Sequence, residues 1–130
     1  MKTFEQRIQV YLEERGWDSL RSGDLAKSIM IEGGELLELF QWENLSPQEI
    51  KSNPKKLQEV EKELADVMTY CFDMAVILGI DVETMLNKKL DKVIEKYPSH
   101  LFNKDKKVKD PGTEEIYWKI KEDYRKNSKS

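Results

Sequence analysis

From Leu57 to Leu78 an apolar residue returns at alternating steps of three and four: Leu57, Val60, Leu64, Val67, Cys71, Met74 and Leu78. That seven-residue repeat belongs to an α-helix and not to a strand. Between Leu64 and Leu78 the segment is apolar on nearly every side, and the exceptions are Asp66, Thr69 and Asp73. A helix apolar all round is a buried one. The expectation is therefore a central helix from Asn53-Pro54 to about Leu78, ended by Gly79, with Cys71 buried in its seam. Such a helix must shelter carboxylates, and an unpaired buried carboxylate costs several kcal/mol.

The rest of the chain supplies partners. Residues 2–15 read as a first helix with Phe4, Ile8, Tyr11 and Leu12 on one face and Gly16 past its end. A second covers roughly 23–43, capped by Ser22 or Asp24, with Leu25, Ile29, Leu36 and Leu39 at helical steps. Ser46-Pro47-Gln48-Glu49 has the serine, first-position proline and third-position glutamate of a short helix start. Asp81 caps a helix over roughly 82–96, ended by Tyr97-Pro98. A lysine-rich linker leads to a terminal helix near 114–126, with Ile116, Tyr117, Ile120 and Tyr124 as its apolar side. No alternating run bounded by hairpin signals occurs. The class is all-α, a four-helix bundle core plus a C-terminal helix, with its two long central helices antiparallel. Residues 1–103 form the domain, and 104–130 a basic linker and helix.

Composition narrows the chemistry. A chain of 130 residues fits one domain. No apolar run approaches the roughly 18 residues of a membrane span, and the charged start lacks a signal-peptide core. One cysteine, Cys71, allows no internal disulfide, so a reducing cytoplasm is the expected compartment. The single histidine, His100, excludes histidine-rich zinc sites and extended histidine relays. The net charge of −3 argues against a nucleic-acid polymer as partner. Charge is uneven: residues 1–103 hold 13 basic and 19 acidic residues, residues 104–130 hold 9 and 6. The acidic body is where a cation belongs.

Three acidic pairs stand three residues apart, on one helix face each: Glu32/Glu35, Glu35/Glu38 and Glu63/Asp66. Their number is below chance, so their position carries the argument. Glu32 falls on the repeat of Leu25, Ile29, Leu36 and Leu39, where an apolar residue belongs. Asp66 lies in the apolar central helix. Acids meeting in a bundle are protonated, paired with lysines such as Lys27 or Lys62, or hold cations. All-oxygen ligation suits magnesium, with manganese as the other candidate. Absence of a Glu-x-x-His pair argues against a di-iron centre. Gly33-Gly34, between Glu32 and Glu35, costs about 1 kcal/mol per glycine in a helix and points to close approach by a helix or ligand. Asp73, one heptad after Asp66, supports the acids or pairs with a facing helix.

Asp24-Leu25-Ala26-Lys27-Ser28-Ile29-Met30-Ile31-Glu32-Gly33-Gly34-Glu35-Leu36-Leu37-Glu38-Leu39-Phe40-Gln41-Trp42 resembles the second-helix signature of the MazG-like nucleotide pyrophosphohydrolases, which include the dCTP pyrophosphatases. Glu63-Leu64-Ala65-Asp66-Val67-Met68-Thr69-Tyr70 resembles the third-helix signature. Lys89-Leu90 and Lys96-Tyr97-Pro98 resemble the end of the family's fourth helix, and Arg15-Gly16-Trp17 its Arg-Asp-Trp segment. Many relatives carry asparagine where this chain has Val93. The resemblance spans roughly residues 4–100. It implies magnesium-dependent hydrolysis of nucleoside triphosphates to monophosphate and pyrophosphate, a house-cleaning role, and a homodimer or homotetramer. Glu32, Glu35, Glu63 and Asp66 would be the metal ligands, and Glu32 or Glu38 the general base. Lys89, Lys92, Lys96 and Tyr97 would meet the phosphates, and Trp17 and Trp42 would stack a base. The rival expectation is a helical module that binds nucleotides without cleaving them.

Overall fold

The computed structural model describes residues 1–102 and 113–128, and the expected 103/104 boundary and most of the lysine-rich linker lie outside them. Among the described residues every regular element is helical. They are α1 (Phe4–Glu14), α2 (Ser22–Glu38), α3 (Pro47–Lys51), α4 (Pro54–Ile77), α5 (Val82–Lys96), a 3-10 turn (Ser99–Leu101) and α6 (Thr113–Ser128). The all-α class is as expected. No helix among them is long and apolar enough to cross a membrane. The chain divides into two compact units, Met1–Val82 and Glu83–Ser130.

The ends of these helices follow from local chemistry. Thr3 and Gln6 form a capping box at α1, with Thr3 Oγ1 accepting from the Gln6 N–H at 3.2 Å and Gln6 Oε1 accepting from the Thr3 N–H at 2.9 Å. Ser46 and Glu49 make the same exchange at α3, as read from the sequence. Asn53 caps α4 by accepting from the Lys56 N–H. At α2 neither Ser22 nor Asp24 is the cap: Arg21 is the extended residue before the helix and makes no side-chain cap bond.

α2 also stops at Glu38, short of the expected 43, and the reason is a competing donor. Lys56 Nζ donates to the Leu39 carbonyl at 2.8 Å, taking the acceptor that another turn of α2 would use. The chain then tightens into bonds from Phe40 N–H to Leu37 and from Gln41 N–H to Glu38. The same lysine lies 5.7 Å from the Phe40 ring centre.

Two glycines close their helices in the left-handed region. Gly16 and Gly79 both have φ of 67°. At each, the glycine N–H bonds back three residues and the next N–H bonds back five: Gly16 to Glu13 and Trp17 to Leu12, then Gly79 to Val76 and Ile80 to Ala75. The first of these turns fixes Trp17 against the end of α1.

In the first unit α2 lies along α4, with α1 and α3 also packed on α4. The pair is antiparallel. Lys56 at the start of α4 reaches Leu39 at the end of α2, while Asp73 near the end of α4 shares a cavity with Leu25 near the start of α2. Ile8, Leu12, Leu25, Ala75 and Val82 are the buried apolar residues, and Phe4 meets Phe72 edge to face at 4.9 Å.

Two expectations fail here. α4 is not buried along its length: Asp73 and Ala75 are its buried residues, while Leu64, Met68 and Leu78 are exposed. Cys71 is exposed as well, not buried in the seam. Within the first unit, α1, α2 and α3 cover only part of the circumference of α4. Gly33 and Gly34 have nothing within 4 Å of an added Cβ among the described residues, which leaves the space over them open.

In the second unit α5 and α6 share an aromatic cluster. Tyr97 stacks on Tyr117 at 5.1 Å and 14°, and Lys96 Nζ lies 4.6 Å from the Tyr124 ring centre. Lys121 sits over the Tyr117 and Trp118 rings.

Gly16→Ala tests the α1 turn. An added Cβ meets nothing within 4 Å, so the cost is conformational alone. A loss of roughly 1–2 kcal/mol in unfolding free energy is expected, read as a lower urea midpoint at unchanged slope. An unchanged midpoint would mean that the turn does not depend on the left-handed residue.

Candidate metal centre and its cavity

One turn of each long helix builds the acidic group. Glu32 and Glu35 share one face of α2, and Glu63 and Asp66 one face of α4. The antiparallel pairing sets these faces together, and one carboxylate oxygen from each of the four lies within 4.8 Å of the others. Glu32, Glu63 and Asp66 are half-buried, and Glu35 is exposed.

Like charges this close cannot all stay ionised without compensation. Glu35 carries that strain, with its carboxyl held above its ordinary value of 4.5. The largest causes are its hydrogen bond to Glu32 and the negative charge of Glu32. A hydrogen bond to Glu63 acts the other way.

The lysine-paired alternative does not occur among the described residues. Lys27 pairs with Asp24 at 3.9 Å on the surface, and half-buried Lys56 with Glu59 at 3.9 Å, each within its own helix. No described lysine or arginine pairs with any of the four acids. Glu32 Oε2 and Glu63 Oε2 are instead buried with no hydrogen-bond partner. Buried oxygens without donors, in an all-carboxylate set, are what a hard divalent cation requires of its ligands. The donor set therefore fits a divalent ion held by Glu32, Glu35, Glu63 and Asp66.

Glu38 stands apart from this group. It is exposed and lines a separate depression with Trp42, Glu43 and Lys56. Trp42 is 88% exposed. Lys89 and Lys92 are exposed on α5, in the second unit, and Lys96 and Tyr97 belong to the aromatic cluster there.

Trp17 has a more defined setting. A cavity of about 420 Å³ opens beside the acids, with Tyr11, Trp17, Leu25, Asp66, Tyr70 and Asp73 among its walls. Its size is that of a small-molecule site, largely apolar with a few polar groups. Tyr11 and Trp17 meet edge to face at 5.7 Å, and both rings remain partly exposed. Asp66 belongs to both the cavity and the acidic group, so the two are continuous.

Asp73 is the residue whose place the sequence left open. It is 5% exposed, and its Oδ1 has no hydrogen-bond partner. Burial pushes its carboxyl above the ordinary value of 3.8. A cue was present, since Asp73 breaks the apolar helix two turns after Asp66. Tyr11, Thr69 and Tyr70 carried no such cue, because their contribution depends on how α1 crosses α4.

The MazG-like family model matches residues 27–110. dCTP pyrophosphatase 1 of Rattus norvegicus is 31% identical over 93 residues, covering 70% of this chain and 55% of that protein. dCTP pyrophosphatase 1 of Homo sapiens is 30% identical over 93 residues, with the same coverage. The chain thus spans about half the length of the curated relatives it matches. The crystal structure of a pyrophosphatase from Archaeoglobus fulgidus superposes with a TM-score of 0.60 at 35% identity, covering 70% of this chain and 85% of that one.

The sign of the Asp73 shift gives a stability test. A carboxyl raised in the folded state contributes fully below the unfolded value and loses that contribution as pH rises through the folded one. Asp73→Asn removes the loss. Its melting temperature should exceed that of the parent by a margin that widens from about pH 4 to about pH 7. A margin that stays constant with pH would contradict the burial of an ionisable group there.

Proposed function

The chain belongs to the MazG-like family, and on that premise we propose that it hydrolyses deoxynucleoside triphosphates to the monophosphate and pyrophosphate with magnesium. The observation that carries this reading is the four-carboxylate group with its two buried, partnerless oxygens. A triphosphate is itself highly anionic, so an acidic site takes it up through cations. Glu32, Glu35, Glu63 and Asp66 would hold magnesium, or manganese, which when bound neutralises phosphate charge and makes water more acidic. Likeness to the dCTP pyrophosphatases makes deoxycytidine triphosphate the first substrate to try.

The chain's own residues have distinct tasks. In the reaction a water oxygen attacks the α-phosphorus, and the bond from that phosphorus to the bridging oxygen breaks. A carboxylate takes the proton of the attacking water. Of the two sequence candidates, Glu32 is favoured by its place in the acidic group, because Glu38 lies outside it. Tyr11 and Trp17 offer ring faces to a nucleobase entering the cavity that begins at Asp66. Lys89, Lys92, Lys96 and Tyr97 remain candidates for phosphate contacts, and Trp42 for a second stacking surface. The house-cleaning role is the physiological form of this activity.

A homodimer or homotetramer is part of the reading. Met30, Ile31 and Leu37 on α2, Leu64 and Met68 on α4, and Leu78 just past its end are exposed apolar residues of the first unit. The open space over Gly34, on the face of Met30 and Leu37, is room for a second backbone. Multi-angle light scattering should give at least twice the mass of 15.4 kDa. A monomer that turns over nucleotide would remove the oligomer from the reading.

The decisive assay is pyrophosphate release from a panel of deoxynucleoside triphosphates, with magnesium and then with EDTA. Release should need the metal and yield monophosphate as co-product. Glu63→Gln or Asp66→Asn should lower turnover by about a thousandfold or more while circular dichroism stays helical. No turnover of any nucleotide by folded protein would leave a nucleotide-binding module in place of an enzyme.

A further inference from the structure

We propose that Asp73 is the specificity-determining residue of the nucleotide site, selecting a base that carries an exocyclic amino group. The inference rests on the nucleotide reading of the site and adds to it which ring the cavity takes.

The argument starts from a cost. A carboxyl group 5% exposed, with an oxygen lacking any donor, is destabilising in an empty cavity. Nothing in α4 requires it, since neighbouring buried positions such as Ala75 are apolar. The group lines the same cavity as Tyr11, Trp17 and Tyr70, whose rings suit a flat heterocycle. It also stands seven residues beyond Asp66 on one helix, about 10.5 Å along the axis at 1.5 Å per residue. That separation is comparable to the reach from the α-phosphate, through the sugar, to the far edge of the base. A triphosphate seated at the acids therefore brings its base edge toward Asp73.

At that edge the chemistry discriminates. An amino group entering the cavity donates an N–H to the Asp73 carboxyl and supplies the donor that this group lacks. A carbonyl at the same ring position sets lone pairs against lone pairs there, and only a shifted base could offer its ring N–H instead. Sites that hydrogen-bond a substrate group reject the analogue lacking it far more strongly than apolar pockets do.

The test compares deoxycytidine with deoxyuridine nucleotides, which differ in the 4-amino against the 4-oxo group and in the proton that uracil carries on N3. kcat/KM for the two triphosphates and calorimetric binding of the two monophosphates are measured with magnesium, for the parent, Asp73→Asn and Asp73→Leu. The parent should favour cytosine by roughly tenfold or more in both measurements. Asp73→Asn, whose amide both donates and accepts, should bring the ratio to within about threefold. Asp73→Leu should lose cytosine binding and show the same collapse. An unchanged ratio in both variants, or a parent that prefers uracil or neither base, overturns the proposal while turnover itself still supports the pyrophosphatase reading. Cytosine-selective binding that depends on Asp73, without turnover of any triphosphate, upholds the proposal and overturns the hydrolytic reading instead.

Discussion

The antiparallel contact of α2 with α4 is the constraint on which the rest depends. It places acid against acid, and no described cation from the protein stands between them. Helix pairs are stabilised by apolar seams, and this pair interrupts its seam at the point of closest chemistry. The contact is held from either side of that interruption. At one end Lys56 bonds to the Leu39 carbonyl. At the other, Leu12 of α1 and Leu25 of α2 are buried and line one cavity with Asp73 of α4. Burial of a leucine side chain contributes about 1.5–3 kcal/mol, enough for a few such residues to offset the repulsion between acids that remain partly solvated.

What could be read in advance follows from which forces are local. Helix positions were legible because periodicity, caps and breakers act within a few residues. Ser46 with Glu49, Asn53 and Gly16 all sit where their chemistry directs. The convergence of Glu32, Glu35, Glu63 and Asp66 was legible too, because helical spacing pairs the acids on each helix and the repeat aims both pairs at the same seam. The end of α2 was not, since it depends on a lysine 17 positions away. Nor was the cavity: Tyr11 and Trp17 reach it only through the turn at Gly16 and the crossing of α1.

The misreading of α4 has a physical lesson. An all-round apolar helix implies cover, but not that the helices of its own unit provide all of it. Leu64, Met68 and Leu78 met the first expectation in composition and failed the second in place. Asp73 shows the opposite case, a polar group enclosed where an apolar one would be more stable. Buried polarity without a partner and apolar surface without cover are both local departures from what folding alone favours. Such departures concentrate where a protein's surface does something besides fold.

The bond from Lys56 to Leu39 has one more implication, for how such a chain can diversify. Because the alignment of the two long helices is secured at the root of their connection, residues 40–52 do not set it. Lengthening a tethered loop costs only about 0.6 kcal/mol for each doubling. Descendants of this sequence could therefore acquire extra segments between Phe40 and Ser52, or exchange α3 for something larger, with the acidic faces still in step. The connection is a place where evolution can write new text without shifting the lines on either side.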